Sequence, residues 1–150
     1  MAAMTIRPAT IADFDVIVEL VEHFLAASIY AKILGPADRE TLEKLVGAVM
    51  DTGVILLAEG CAGDVEGMLA LAVFDHPVTG IPYADELAWW VEPHARGSLG
   101  PRLLAAGEAW VRERGLSGLK MVAPADSSVG RLYARRGYVE VETAYHKRFT

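Results

Sequence analysis

The sequence predicts an α/β protein of the α+β kind: a mixed, mostly antiparallel sheet of about six to seven strands with four helices packed on it. Three observations carry this. Apolar runs of strand length alternate with segments whose apolar residues recur at helical spacing, in the order β-α-α-β-β-β-α-β-α-β-β. Early strands are joined through Gly-rich turns, as in hairpins, and a βαβ unit follows. The chain has 150 residues, 53% of them hydrophobic and 23% charged, which is enough for one core. A single domain over residues 4–150 is expected.

Thr5–Pro8 reads as a short first strand. Thr10 then begins a helix as N-cap, with Asp13 in place of the usual capping-box Glu. Phe14, Ile17, Val18, Val21, Phe24 and Leu25 recur at helical spacing, so this helix buries one face. Gly35-Pro36 breaks the chain, and Asp38 opens a second helix marked by Leu42, Leu45, Val46 and Val49. Val54–Glu59 and residues 65–74 form a hairpin around residues 60–64, with Gly67 at a bulge. Residues 75–83, which include Pro77, Gly80 and Pro82, form a loop, and residues 85–91 the next strand. A third helix spans 99–114 and stops at Gly115. Residues 119–122 are a strand. Asp126 caps a fourth helix ending at Gly137, and residues 138–142 and 145–149 form a closing strand pair.

Charge narrows the function classes. The net charge of −6 argues against nonspecific nucleic-acid binding. Its distribution is uneven: residues 1–95 hold four basic and 15 acidic residues, whereas residues 96–136 hold eight basic and three acidic. An anionic ligand group at the second part and a cationic one at the first would complement this pattern. No apolar run is long enough to span a membrane, and the first residues show no secretory pattern, so a cytoplasmic protein is expected. Cys61 is the single cysteine, which rules out an intrachain disulfide. His23, His76, His94 and His146 are scattered, so no metal site is expected. The apolar content fits a homodimer.

One stretch points to chemistry. Trp89-Trp90-Val91 ends a strand, residues 92–98 turn, and a helix starts near Leu99. A strand-turn-helix junction aims unpaired backbone N–H groups and the positive end of the helix dipole into the turn, which suits a phosphate. Arg96 adds charge, and Pro101 fits the first helical turn.

The residues Val91-Glu92-Pro93-His94-Ala95-Arg96-Gly97-Ser98-Leu99-Gly100 resemble the acyl-CoA signature of the GNAT superfamily of acyl-CoA-dependent N-acetyltransferases, which reads Gln or Arg, two residues, Gly, one residue, then Gly or Ala. Leu132-Tyr133-Ala134-Arg135-Arg136-Gly137-Tyr138 resembles the family's Leu-Tyr-x-x-x-Gly-Phe segment, and Arg7-Pro8-Ala9-Thr10-Ile11-Ala12-Asp13 a common opening. The order of these segments spans the chain from about Met4. Relatives often read Ala-Arg-Gly-Ser-Gly-x-Gly before the helix, so the turn here is one residue short.

The resemblance implies acetyl-CoA as co-substrate, a GNAT-like fold and direct transfer of an acetyl group to an amine of a small molecule or peptide. It places the cofactor on Trp90, Val91, Arg96, Gly97, Ser98, Leu99, Gly100, Arg102 and Ser128, with the Val91 N–H on the thioester carbonyl. Tyr133 is the implied general acid, since a phenol holds its proton at neutral pH. For the base, Glu86 and its neighbour Asp85 are candidates, of which at most one faces the site; His23 and His146 are alternatives. Phe24, Ser28 and Tyr30 are expected to frame the acceptor, together with Lys32, Asp75 and His76. The acidic first part favours a cationic acceptor such as a primary amine. A reading of a different class is a degenerate domain of this family that serves as a CoA-binding or protein-interaction module.

Overall fold

The computed structural model describes residues 4–150. A five-stranded sheet runs in the order β1 (Thr5–Pro8), β2 (Val54–Glu59), β3 (Val65–Asp75), β4 (Pro82–Val91) and β5 (Leu119–Lys120), antiparallel except for the β4–β5 pair. The continuous apolar run of β2 reflects burial on both faces. On one face lie α1 (Phe14–Ala27) and α3 (Arg39–Thr52), whose Ile17, Val18, Leu42, Val46 and Val49 meet Ile55, Leu57, Met68, Ala70 and Ala88. On the other lies α4 (Leu99–Glu113), whose Leu99, Leu103 and Val111 meet Val54, Leu56, Leu69, Leu71 and Ala84.

Local chemistry fixes the ends. The Thr10 N–H donates to the Asp13 carboxylate at 2.8 Å, and Arg7 donates to that carboxylate at 2.8 and 2.9 Å and to Glu59 at 2.7 Å. This network ties β1 and β2 to the start of α1, and the Arg7 guanidinium holds the buried Asp13 carboxyl well below the usual carboxylate range. Asp38 caps α3 by accepting the Thr41 N–H at 2.9 Å. At Gly107, α4 crosses so close to the sheet that a Cβ would lie 2.7 Å from Leu69 Cδ2, so glycine is what lets helix and sheet touch.

The structure departs from the sequence expectation in several elements: five strands form rather than six to seven, β5 stops at Lys120 rather than at residue 122, and the bulge in β3 falls on Glu66 rather than Gly67. The first helix stops at Ser28, whose hydroxyl donates to the Leu25 carbonyl at 2.7 Å, and a separate short α2 (Ile29–Leu34) follows, giving five α-helices rather than four. The loop expected over 75–83 is shorter, because Phe74 and Asp75 still pair with Tyr83 and Pro82. Asp126 does not cap the last helix: α5 (Val129–Arg135) starts behind Ser128, and Asp126 sits in the preceding turn at φ 62°, a conformation that aspartate tolerates. Residues 138–150 form no strand. The Val-Glu-Val-Glu alternation has the right period, but β5 offers only two residues of ladder, and Val139, Val141, Tyr145 and Phe149 stay exposed. Side chains hold this tail instead, through Glu142 on Lys120 at 2.8 Å and Arg148 on the Ile33 carbonyl at 2.9 Å. No helix among the described residues is long and apolar enough to cross a membrane.

Candidate active site

The site grows out of an irregularity in β4. Its register against β3 shifts after Ala70, so that Ala88 faces Ala70, Glu86 faces Leu71, and Leu87 is the extra, bulged residue. Glu86 therefore points to the α4 side, while Leu87 and Ala88 both turn to the α1–α3 side. β4 and β5 pair only at Ala84–Leu119 and Asp85–Lys120. Beyond Asp85 they part, and the outer edge of β4 has no strand partner among the described residues.

Two sets of backbone donors converge on that edge. The Glu92 N–H goes to the Glu66 carbonyl at 2.8 Å, so ladder alternation turns the N–H of Val91 the other way, to the free edge. A 3-10 turn (Pro93–Ala95) then leads through Arg96 and Gly97 into α4. Gly97 has φ 144°, which reserves the position for glycine. The N–H groups of Gly97, Ser98, Leu99 and Gly100 have no hydrogen-bond partner among the described residues, while the Arg102 N–H already bonds the Ser98 carbonyl. Four such consecutive donors at a helix start have the geometry of a cradle that could receive an anion. A Cβ on Gly100 would meet only the Trp89 ring, at 3.5 Å, so the shortened turn retains its backbone donors without demanding glycine there.

On the same face, Glu86 and Tyr133 meet through the backbone of one residue, Val122. The Val122 N–H donates to the Glu86 carboxylate, and the Tyr133 hydroxyl donates to the Val122 carbonyl at 2.7 Å. Burial pushes the Glu86 carboxyl up to about 7, against the pull of the Val122 N–H and with a push from Asp85. Burial, and next the charge of Glu86, hold the Tyr133 phenol above its usual range, so it keeps its proton. The Trp89 ring lies 6.1 Å from that of Tyr133 and closes the floor between it and the α4 start. Asp85 faces away, toward Lys120 at 3.8 Å.

Other sequence candidates are placed differently. The Arg96 guanidinium does not lie along the cradle: it stacks over Trp90 at 4.9 Å and donates to the Val91 carbonyl at 3.0 Å, anchoring the turn to the end of the strand. The Trp90 ring packs on the α1 face. Arg102 donates to the Met4 carbonyl at 3.0 Å. Ser98 and Ser128 occupy the N-cap positions of α4 and α5 without side-chain caps. Phe24 lines a cavity behind β4, whereas the Ser28 hydroxyl serves the α1–α2 break and Tyr30 is 47% exposed on α2. His76 Nδ1 accepts the N–H groups of Val78 and Thr79 within the β3–β4 turn. His23 pairs with Glu92 at 2.8 Å, which raises its pKa and holds it outside the Glu86–Tyr133 cluster. Sequence reasoning missed Val122, which acts through its backbone and carries no side-chain signal. No cluster of metal-ligating side chains occurs among the described residues.

No family model and no curated protein matches the chain. Its fold is nevertheless that of the GNAT acetyltransferases. A chain from Pyrococcus furiosus described as an acetyl transferase is similar at 21% identity and TM-score 0.77, covering 98% of this chain and 100% of that one. A predicted acetyltransferase from Clostridium acetobutylicum, solved with acetyl-CoA, gives 19% identity and TM-score 0.78 over 97% and 96% of the two chains. AAC(6')-Iy, solved with the bisubstrate analog CoA-S-monomethyl-acetylneamine, gives 14% identity and TM-score 0.74 over 99% of each.

Proposed function

We propose that this chain is a GNAT N-acetyltransferase that moves an acetyl group from acetyl-CoA directly to an amine of a small molecule or peptide. The observation that carries the proposal is the run of four partnerless N–H groups from Gly97 to Gly100 beside the unpaired edge of β4. Such a cradle fits a pyrophosphate, and the open edge fits an arm that extends strand-like from it. When bound, acetyl-CoA supplies an activated acyl group as its thioester. The fold it shares with a protein solved with the bisubstrate analog CoA-S-monomethyl-acetylneamine supports an amine as acceptor.

The residues divide the work by geometry and proton affinity. Glu86, pushed up to about 7 by burial, takes the proton from the incoming amine through intervening water, because the Val91 N–H lies five residues further along β4. The Val91 N–H, fixed by the ladder, donates to the acyl oxygen as charge builds there. The Tyr133 hydroxyl, turned from the Val122 carbonyl, gives its proton to the departing sulfur and regains one from solvent. Arg96 positions the turn through Trp90 and the Val91 carbonyl.

Calorimetric titration with CoA, combined with thiol release under saturating acetyl-CoA, tests the reading. Tyr133→Phe is expected to lower turnover at least about tenfold and leave CoA affinity within twofold. Unchanged turnover removes Tyr133 as the acid. CoA binding without thiol release on any amine favours the binding-module reading.

A further inference from the structure

The helix that carries Tyr133 has little else to hold it. α5 has seven residues, and Tyr133 is the one among them that is buried. The helix ends in a Schellman turn. Gly137, at φ 89°, donates its N–H to the Ala134 carbonyl at 3.2 Å, and the Tyr138 N–H donates to the Tyr133 carbonyl at 3.0 Å. That turn brings the Tyr138 ring back onto the Tyr133 ring, with 5.4 Å between centroids. The Tyr138 hydroxyl donates to the Glu108 carboxylate of α4 at 3.2 Å. Arg136 donates to the same carboxylate, from Nε at 3.1 Å and from Nη2 at 2.5 Å. The Glu108 side chain is only 12% exposed, so the link is largely shielded from water. Burial, and next the charge of Glu108, hold the Tyr138 phenol above its usual range, so its hydroxyl remains a donor.

The place of that carboxylate on α4 gives the link its meaning. Glu108 lies eight residues beyond Gly100, about 12 Å along the helix at about 1.5 Å per residue. The cradle donors belong to the start of the same helix. One helix therefore references both ends of the site, the cradle through its first turn and the Tyr133 ring through Glu108. A ligand that runs from a phosphate to a reacting sulfur has a fixed reach, and a misplacement of about 1 Å at the reacting end can cost about a hundredfold in rate. We infer that Tyr138, Glu108 and Arg136 are positioning residues for the transfer step, bracing α5 on α4 so that the Tyr133 hydroxyl is presented at a set distance from the cradle. The inference rests on the acetyltransferase reading with Tyr133 as proton donor, and adds to it residues that act through Tyr133.

The test uses the full chain with Tyr138→Phe, which keeps the ring and removes the hydroxyl, and Glu108→Gln, which keeps the shape and removes the charge. Thiol release with acetyl-CoA and a primary amine gives kcat and KM. The 13Cζ signal of Tyr133, assigned by its loss in Tyr133→Phe, reports the hydroxyl's bond to the Val122 carbonyl with no substrate present. The expected result is a loss in kcat of about tenfold in Tyr138→Phe and about threefold in Glu108→Gln, with the KM for acetyl-CoA within about twofold, the melting temperature near that of the parent and a shifted Tyr133 signal. In a Tyr133→Phe background the added Tyr138→Phe change should cost nothing further, because the two residues act as one unit. Parent-like kcat with an unmoved Tyr133 signal in both variants, or losses that multiply in the double variant, overturns the inference and leaves the acetyltransferase reading standing. No thiol release from the parent, or Tyr133→Phe at the parent rate, overturns the reading of the site and the inference with it.

Discussion

On one face of the sheet α4 lies so close that a Cβ on Gly107 would crowd Leu69, and Leu99, Leu103 and Leu104 are essentially sealed from solvent. On the other, α1 and α3 pack at the same depth yet leave an open cavity between them. β4 serves both faces and changes its manner at one bulged residue. The tight face carries the groups proposed above to perform acetyl transfer: the α4 start, Glu86, Trp89 and Tyr133. Rigidity and vacancy are thus separated by the thickness of one strand.

The contrast is broken most severely by truncation on each side. Leu103→Ala on the tight face is expected to destabilise the fold by about 3 kcal/mol in urea melts, because a fully buried leucine leaves a cavity. Leu45→Ala, 47% exposed on the cavity rim, is expected to change stability by less than about 0.5 kcal/mol. Equal losses would mean that the two faces are packed alike.

A smaller effect sharpens the comparison within one strand. Ala84 and Ala88 are both buried in β4 but face opposite sides. Ala84→Val is expected to overpack the α4 side and cost about 1–3 kcal/mol. Ala88→Val projects into the cavity and is expected to be neutral or to stabilise by up to about 1 kcal/mol, read from the shift in thermal midpoint.

The smallest change concerns the cradle. Gly97→Ala forces an alanine to φ 144° and is expected to destabilise by about 1–2 kcal/mol and to weaken CoA binding. Gly100→Ala places its methyl at ordinary contact with Trp89 and is expected to leave stability unchanged or slightly raised, since alanine favours the helix. Matched CoA titrations of the two variants separate backbone conformation from glycine content.

The parts of this molecule that were legible in the sequence are those governed by local periodicity. Phe14 to Leu25, Leu42 to Val49 and the α4 segment announce their helices by spacing, and the strand-turn-helix junction announces its unpaired donors. What was not legible depends on tertiary placement. The bulge falls on Leu87, a residue type that marks no bulge in advance. Arg96 reads as a phosphate ligand until Trp90 is seen to hold it, because a long flexible side chain does not show its rotamer in sequence. Val122 contributes only its peptide groups. Residues 138–142 carry a strand period but meet a two-residue edge, so pairing fails for want of a partner rather than of pattern. The cavity is built from residues that elsewhere would be core, and only their spacing in three dimensions distinguishes the two.

The claim that the tight face performs acetyl transfer is tested most directly by thiol release from acetyl-CoA with a primary amine, followed from pH 5 to 9 in the parent protein and in Glu86→Gln. Because burial raises the Glu86 carboxyl to about 7, the base form is populated only as pH rises through that value. The parent kcat/KM should therefore climb with pH and level off above about 8. Glu86→Gln should lose about a hundredfold and lack that inflection, while binding CoA as tightly as the parent. A parent profile without the inflection, or a glutamine variant with the parent's rate and profile, would contradict the assignment of Glu86 and the site built around it.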